Sequence, residues 1–173
     1  MKTELKQTTF IAMRIYLFRH GDKERSPANN PPLSRRGLEQ ARALTKLVRS
    51  GNLQKPEILM CSPKVRAVQT LTPLSQEYQI PLKETDLLDE RKSKESAEAF
   101  FHRVQSTLQH LEMHTGVTYL VTHFDWIEVA MLAIPSDTDL SQGKYQGWAP
   151  AQYMEFEVSD GVWRLQNFSG VDR

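Results

Sequence analysis

Only one cysteine, Cys61, occurs among the 173 residues, which excludes an intrachain disulfide framework and makes a reducing compartment the expected setting. No apolar run approaches the roughly 20 residues that a helical membrane span requires. An excess of charge of one sign is also lacking. With 22 basic and 21 acidic residues the formal charge is +1, so no global field draws the chain to nucleic acid or to a membrane. The opening MKTELKQTTF carries lysines but no apolar stretch of signal-peptide length. Residues 1–11 read as a polar extension, Met13 as an alternative start, residues 12–173 as a single domain, and the cytoplasm as the location. Repeats and low-complexity segments are missing too. Hydrophobic content of 39% and charged content of 25% suit a soluble domain with one core. Any affinity for anions has to be local.

What is present is an alternation of short apolar runs with helical periodicity. Met13 to Phe18 has the β-branched and aromatic character of a buried strand, followed by a polar, proline-rich loop over 23–32. Ser34 is placed to cap a helix with Leu38, Ala41, Leu44, Leu47 and Val48 inward, and Gly51-Asn52 to stop it. EILMC at 57–61 is a second strand. Ser62-Pro63 opens another helix, with Val65, Val68, either Leu71 or Thr72, and Leu74 inward and Pro73 expected to kink or end it early. Residues 80–90 hold a short strand at most, and 93–114 a helix presenting Ala97, Phe100, Phe101, Val104, Leu108 and Leu111. VTYLVT at 117–122 is the third clear strand, with a helix over 124–133 after it. The tail QYMEFEV-SDG-VWRLQNF reads as a hairpin with an Asp-Gly turn. The pattern predicts an α/β fold: a three-layer α/β/α sandwich with a mostly parallel central sheet and an antiparallel edge.

Each of the three clear strands ends in polar chemistry. The first delivers Arg19 and His20, the second Cys61 and Ser62 with Arg66 a turn later, the third Thr122 and His123. Carboxyl ends of parallel strands gather at one sheet edge, where ligands bind. Two arginines and two histidines are thus expected to converge. Guanidinium forks suit phosphate oxygens, and a neutral imidazole held in one tautomer is a competent nucleophile. Gly21 lets the backbone turn closely beside it.

The segments FRHGDK, PPLSRRGLEQA, SPKVRAVQT and VTHF, in this order and spacing, resemble the successive signatures of the histidine phosphatase superfamily, also called phosphoglycerate-mutase-like. The resemblance spans about residues 13–132, and the closing hairpin is similar as well. It implies that His20 is the nucleophile that becomes phosphohistidine, and that Arg19, Arg66 and His123 form the phosphate pocket around it. Gly21, Asp22 and Phe124 would border the substrate. In Leu88-Asp89-Glu90-Arg91 it offers Glu90 as general acid, with Asp22 and Asp125 as the second and third choices. No metal or organic cofactor is implied. Small size, R-H-G-D and a bulky Phe124 after the second histidine look most like the compact SixA-type phosphohistidine phosphatases. The implied activity is hydrolysis of a phosphoric monoester or of phosphohistidine, on a phosphorylated small molecule or a phosphohistidine protein. The alternatives are a phosphoglycerate-mutase-type phosphotransferase and a non-catalytic phosphate-binding scaffold.

Three blander readings compete locally. Cys61 has an arginine five positions on rather than the six of cysteine phosphatases, and Pro63 removes an N–H such a loop needs, so a buried strand residue is expected. His110 and His114 are four apart, but in HLEMH, near a helix end where histidine suits the dipole. Phe100 and Phe101 read as core, while Trp126 and Trp148 are candidates for the pocket rim.

Overall fold

The computed structural model describes residues 13–172; the expected polar extension over 1–11 lies outside them. Strand β1 (Met13–Arg19) turns Ile15 and Leu17 to one face and Tyr16 and Phe18 to the other, following the two-residue period of a strand. Both faces are covered, so the run is apolar throughout. The other elements in order are α1 (Arg35–Arg49), β2 (Ile58–Cys61), α2 (Val65–Tyr78), β3 (Leu82–Glu84), a 3₁₀ turn (Asp86–Leu88), α3 (Ala97–Leu111), β4 (Val117–Thr122), α4 (Phe124–Ala133), a second 3₁₀ turn (Gly143–Tyr145), β5 (Gln152–Ser159) and β6 (Val162–Gly170). The sheet order is β3-β2-β4-β1-β5-β6, parallel through β1 and antiparallel over the last two strands.

Helices α1 and α2 cover one face through Leu44, Val48, Ala67, Leu71 and Leu74 against Phe18, Tyr119 and Val121. Helices α3 and α4 cover the other through Val104, Leu108, Ile127 and Ala130 against Ile15, Leu17 and Leu120. This is the expected three-layer sandwich. The hairpin closes where Asp160 and Gly161 take φ of 53° and 71°, the pair of positive values a type I′ turn demands.

The sequence reading of α2 needs three corrections. Pro63 precedes the helix rather than opening it: the cap is Lys64, and the first N–H, that of Val65, is met by Asn30 Oδ1 from the long loop. Leu71 and Leu74 face inward as expected and Val68 is half-buried, but Val65 is exposed and the face is completed by Arg66, Ala67 and Thr70. Pro73 does not end the helix, which runs on to Tyr78. An interior proline costs about 3 kcal/mol, whereas burying leucines such as Leu71 and Leu74, both 0% exposed, contributes about 1.5–3 kcal/mol each. Packing wins. Leu38 is likewise exposed on α1, and α3 starts later and stops earlier than its pattern implied, capped by Ser96 with Ala97 outward and Phe101 half-buried.

The register positions the site. Arg19 pairs with Thr122, and Cys61 with Val121, so β1, β2 and β4 run out at one level. His20 N–H continues the ladder to the Thr122 carbonyl at 3.0 Å, and Ser62 N–H to that of Val121 at 3.1 Å. Helix α1 is pressed against the turn after His20 through Gly37, where an added Cβ would stand 2.0 Å from the Asp22 carbonyl oxygen. Gly37→Ala is therefore expected to cost about 3 kcal/mol, the upper end for overpacking, read from the urea unfolding midpoint. Gly143→Ala, with open space around the new methyl, is expected to leave the midpoint unchanged.

Candidate active site

His20, Arg66 and His123, from three distant segments, meet at this edge and are 4%, 3% and 2% exposed. The His20 and His123 rings lie 5.3 Å apart edge to face. Arg66 binds both: its Nε donates to His20 Nε2 at 3.2 Å and its Nη2 lies 3.1 Å from His123 Nδ1. The same Nη2 donates to Glu90 Oε2 at 2.7 Å, and Lys64 Nζ holds the other Glu90 oxygen at 3.3 Å.

These partners fix the imidazole tautomers. His20 Nδ1–H donates to the Gly21 carbonyl at 2.7 Å, because a carbonyl can only accept. Its Nε2 therefore carries a lone pair, pointing at Arg66. For His123 the assignment runs through Ser62. Ser62 Oγ donates its proton to Asp89 Oδ1 at 3.1 Å and accepts the Lys64 N–H at 3.2 Å. The contact of His123 Nε2 with Ser62 Oγ at 2.8 Å then requires the proton on Nε2. Nδ1 is left to accept from Arg66. Both rings are neutral. Burial is the first cause, with Arg66 and Arg19 adding repulsion, and the pKa falls to about 3 for His20 and about 2 for His123.

Arg19 completes the quartet from the other side. It donates to the Trp148 carbonyl, lies over the Phe124 ring at 5.2 Å, and is pulled below its usual pKa by burial. Arg19 Nε and Arg66 Nη1 are buried without a hydrogen-bond partner. Unsatisfied buried donors are rare, and two on neighbouring cations are what an oxyanion would satisfy.

Other expected site residues have different tasks. Asp22 accepts the Ser34 hydroxyl at 2.5 Å while its N–H donates to Gln40, so its carboxylate braces the start of α1. Gly21 N–H is taken by Thr70 Oγ1 at 3.0 Å, leaving no free backbone donor there. Asp125 accepts the backbone N–H groups of Arg91 and Trp126, both at 2.8 Å, and ties down the loop after Glu90. Of the three carboxylates weighed as proton donor, Glu90 alone touches the histidine–arginine cluster. Trp126 is fully buried and bonded to the Leu87 carbonyl, and Trp148 is buried, serving Arg19 through its backbone rather than rimming the pocket with its ring. Cys61 is buried, its thiol pushed up to about 12 by desolvation. Among the described residues no group of three or more His, Cys, Asp or Glu is placed to hold a metal. Sequence reasoning missed Ser62 and Asp89 as site residues; the one signal was Ser62 at a strand end beside the arginine motif.

The two histidines make stability acid-sensitive. Unfolded, each takes a proton below about pH 6.5; folded, each resists it until pH about 3 or 2. The unfolded chain thus binds more protons across this window, and stability is lost as pH falls through it. The slope is up to about 1.4 kcal/mol per pH unit for each group. Urea midpoints should drop between pH 7 and 5, and the drop should shrink in His123→Gln.

The fold and a stretch of sequence both have known counterparts. Residues 15–94 match the model of the histidine phosphatase superfamily (branch 1). No curated protein matches the chain. Among solved structures, the protein histidine phosphatase SixA bound to tungstate superposes with a TM-score of 0.68 at 15% identity, over 92% of this chain and 97% of that one. A mutant phosphoserine phosphatase from Entamoeba histolytica with phosphoserine gives 0.70 at 15%, over 92% and 98%. A candidate alpha-ribazole-5'-P phosphatase from Escherichia coli gives 0.76 at 17%, over 92% and 98%. The sequence match places residues 15–94 in the histidine phosphatase superfamily, and the fold of the whole described chain is that of the solved phosphatases it superposes on.

Proposed function

We propose that the chain is a phosphatase that works through a phosphohistidine on His20, hydrolysing a phosphoric monoester or phosphohistidine. The observation that carries this reading is the lone pair of a buried, neutral His20 Nε2 held against Arg66, beside two buried guanidinium donors without partners. A phosphoryl group entering there takes the N–H groups of Arg66 and Arg19, which frees Nε2. The lone pair attacks phosphorus in line, the N–P bond forms and the bond to the leaving group breaks. Glu90, released from Arg66 by the entering phosphoryl group and carrying a proton taken from solvent, delivers it to the leaving atom and then accepts one from water. That water attacks phosphorus, the N–P bond breaks, and inorganic phosphate leaves with the His20 lone pair restored. Cationic side chains oppose the charge on the equatorial oxygens throughout.

The SixA structure and the phosphoserine phosphatase bracket the substrate classes, a phosphohistidine protein and a small phosphomonoester. Lys64, one quarter exposed beside Glu90, favours substrates with a further negative charge near the phosphate. With no described helix long and apolar enough to cross a membrane and one cysteine, a cytoplasmic setting suits this chemistry.

His20→Asn should lower turnover at least about a thousandfold and abolish acid-labile, base-stable labelling by a phosphorylated substrate. Glu90→Gln should slow hydrolysis of alkyl phosphates about a hundredfold or more while largely sparing phosphohistidine, whose imidazole leaves more readily. Full activity in His20→Asn would overturn the nucleophile assignment.

A further inference from the structure

His123 receives its proton pattern from behind. Its Nε2–H is committed to Ser62, which passes its own proton to Asp89, and Asp89 Oδ1 is held by the Glu90 N–H at 2.9 Å and lies 3.6 Å from His123 Nε2. Ser62 is 0% exposed and Asp89 7%. The lone pair on Nδ1 is thereby the atom His123 turns toward Arg66. This suits the resting state and is wrong for a bound phosphate. Once Arg66 turns its N–H groups to an oxyanion, Nδ1 and a phosphate oxygen meet as two acceptors, which repel.

One added proton removes the conflict. On Nδ1 it makes the ring an imidazolium that donates forward to the oxyanion and backward to Ser62. The groups facing that ring are Arg19 and His20 from the end of β1, Lys64 and Arg66 at the start of α2, and Asp89 and Glu90 from the loop after the first 3₁₀ turn; Asp125 on its own helix faces Arg91 instead. Three of these are cations. Of the two carboxylates, Glu90 is engaged by Lys64 and Arg66, so Asp89 is the one placed to balance a charge on His123.

We propose that Asp89 is a positioning residue that, through Ser62, fixes the His123 tautomer and balances an imidazolium there, so that binding of a phosphate dianion takes up one proton from solvent at His123 Nδ1. No bond breaks in this step, and the proton returns to solvent when phosphate leaves. The inference rests on the pocket being a phosphate site, as proposed above, but not on turnover.

Calorimetric titration with tungstate, a tetrahedral dianion that carries no proton near pH 7.5, tests it in buffers of different ionisation enthalpy. Wild type should take up close to one proton per tungstate, and affinity should weaken about tenfold per pH unit between about pH 6.5 and 8. Asp89→Asn and Ser62→Ala, which break the same link at different residues, should each bind about tenfold more weakly near pH 7 and lose most of the pH dependence. Binding to wild type without proton uptake, or uptake and pH dependence unchanged in both variants, would overturn this role while leaving His20 labelling intact. Tungstate that fails to bind wild type would overturn both this role and the phosphate pocket.

Discussion

The Arg66 guanidinium is 3% exposed and binds three neighbours at once: His20, His123 and Glu90. Burying an isolated cation costs several kcal/mol, so the position is tolerable only because a carboxylate and two imidazole lone pairs surround it. The constraint runs both ways. Burial in the first place, and repulsion from Arg66 after it, keep the two rings neutral, and each turns a lone pair inward. The inward lone pair of His20 and the two unpartnered guanidinium donors are features of one buried cluster.

The fold serves that arrangement through register. Because β1, β2 and β4 end level, the residues following each strand share one edge, and Ala151, just before the antiparallel β5, ties His20 in place through its N–H at 3.1 Å. Helix α2 contributes its phase: Arg66 lies on the same buried face as Ala67, Thr70 and Leu71, with Thr70 holding Gly21 N–H and thereby the turn after His20. Helix α1 leans on that turn at Gly37, and Asp22 returns the contact through Ser34. The supports of the site are buried residues of the fold, Thr70 and Gln40 among them.

Much of this was legible in the sequence where the signal is local. Ser34 caps α1 as its type and place predict, VTYLVT is β4 to the residue, and the Asp-Gly turn closes the hairpin. The four residues at strand ends and in the arginine motif were readable because parallel strands leave few places for them to go. What escaped depends on distant partners. Asp89 acts on a side chain 34 positions away through Ser62, and nothing in a charged run such as DLLDERKSKE marks one acid as buried. The Trp148 carbonyl that holds Arg19 is backbone, which has no residue code. The face of α2 was misjudged because two valines outweighed an arginine in a hydrophobic count, although the arginine had partners inside and Val65 did not.

The claim on which everything else rests is that His20 is neutral, with its proton on Nδ1 and a free electron pair on Nε2 under Arg66. Nitrogen-15 chemical shifts of the imidazoles in the resting protein near neutral pH read this directly. Our account predicts a protonated Nδ1 and an unprotonated Nε2 for His20. An imidazolium, or a proton on Nε2, would contradict it.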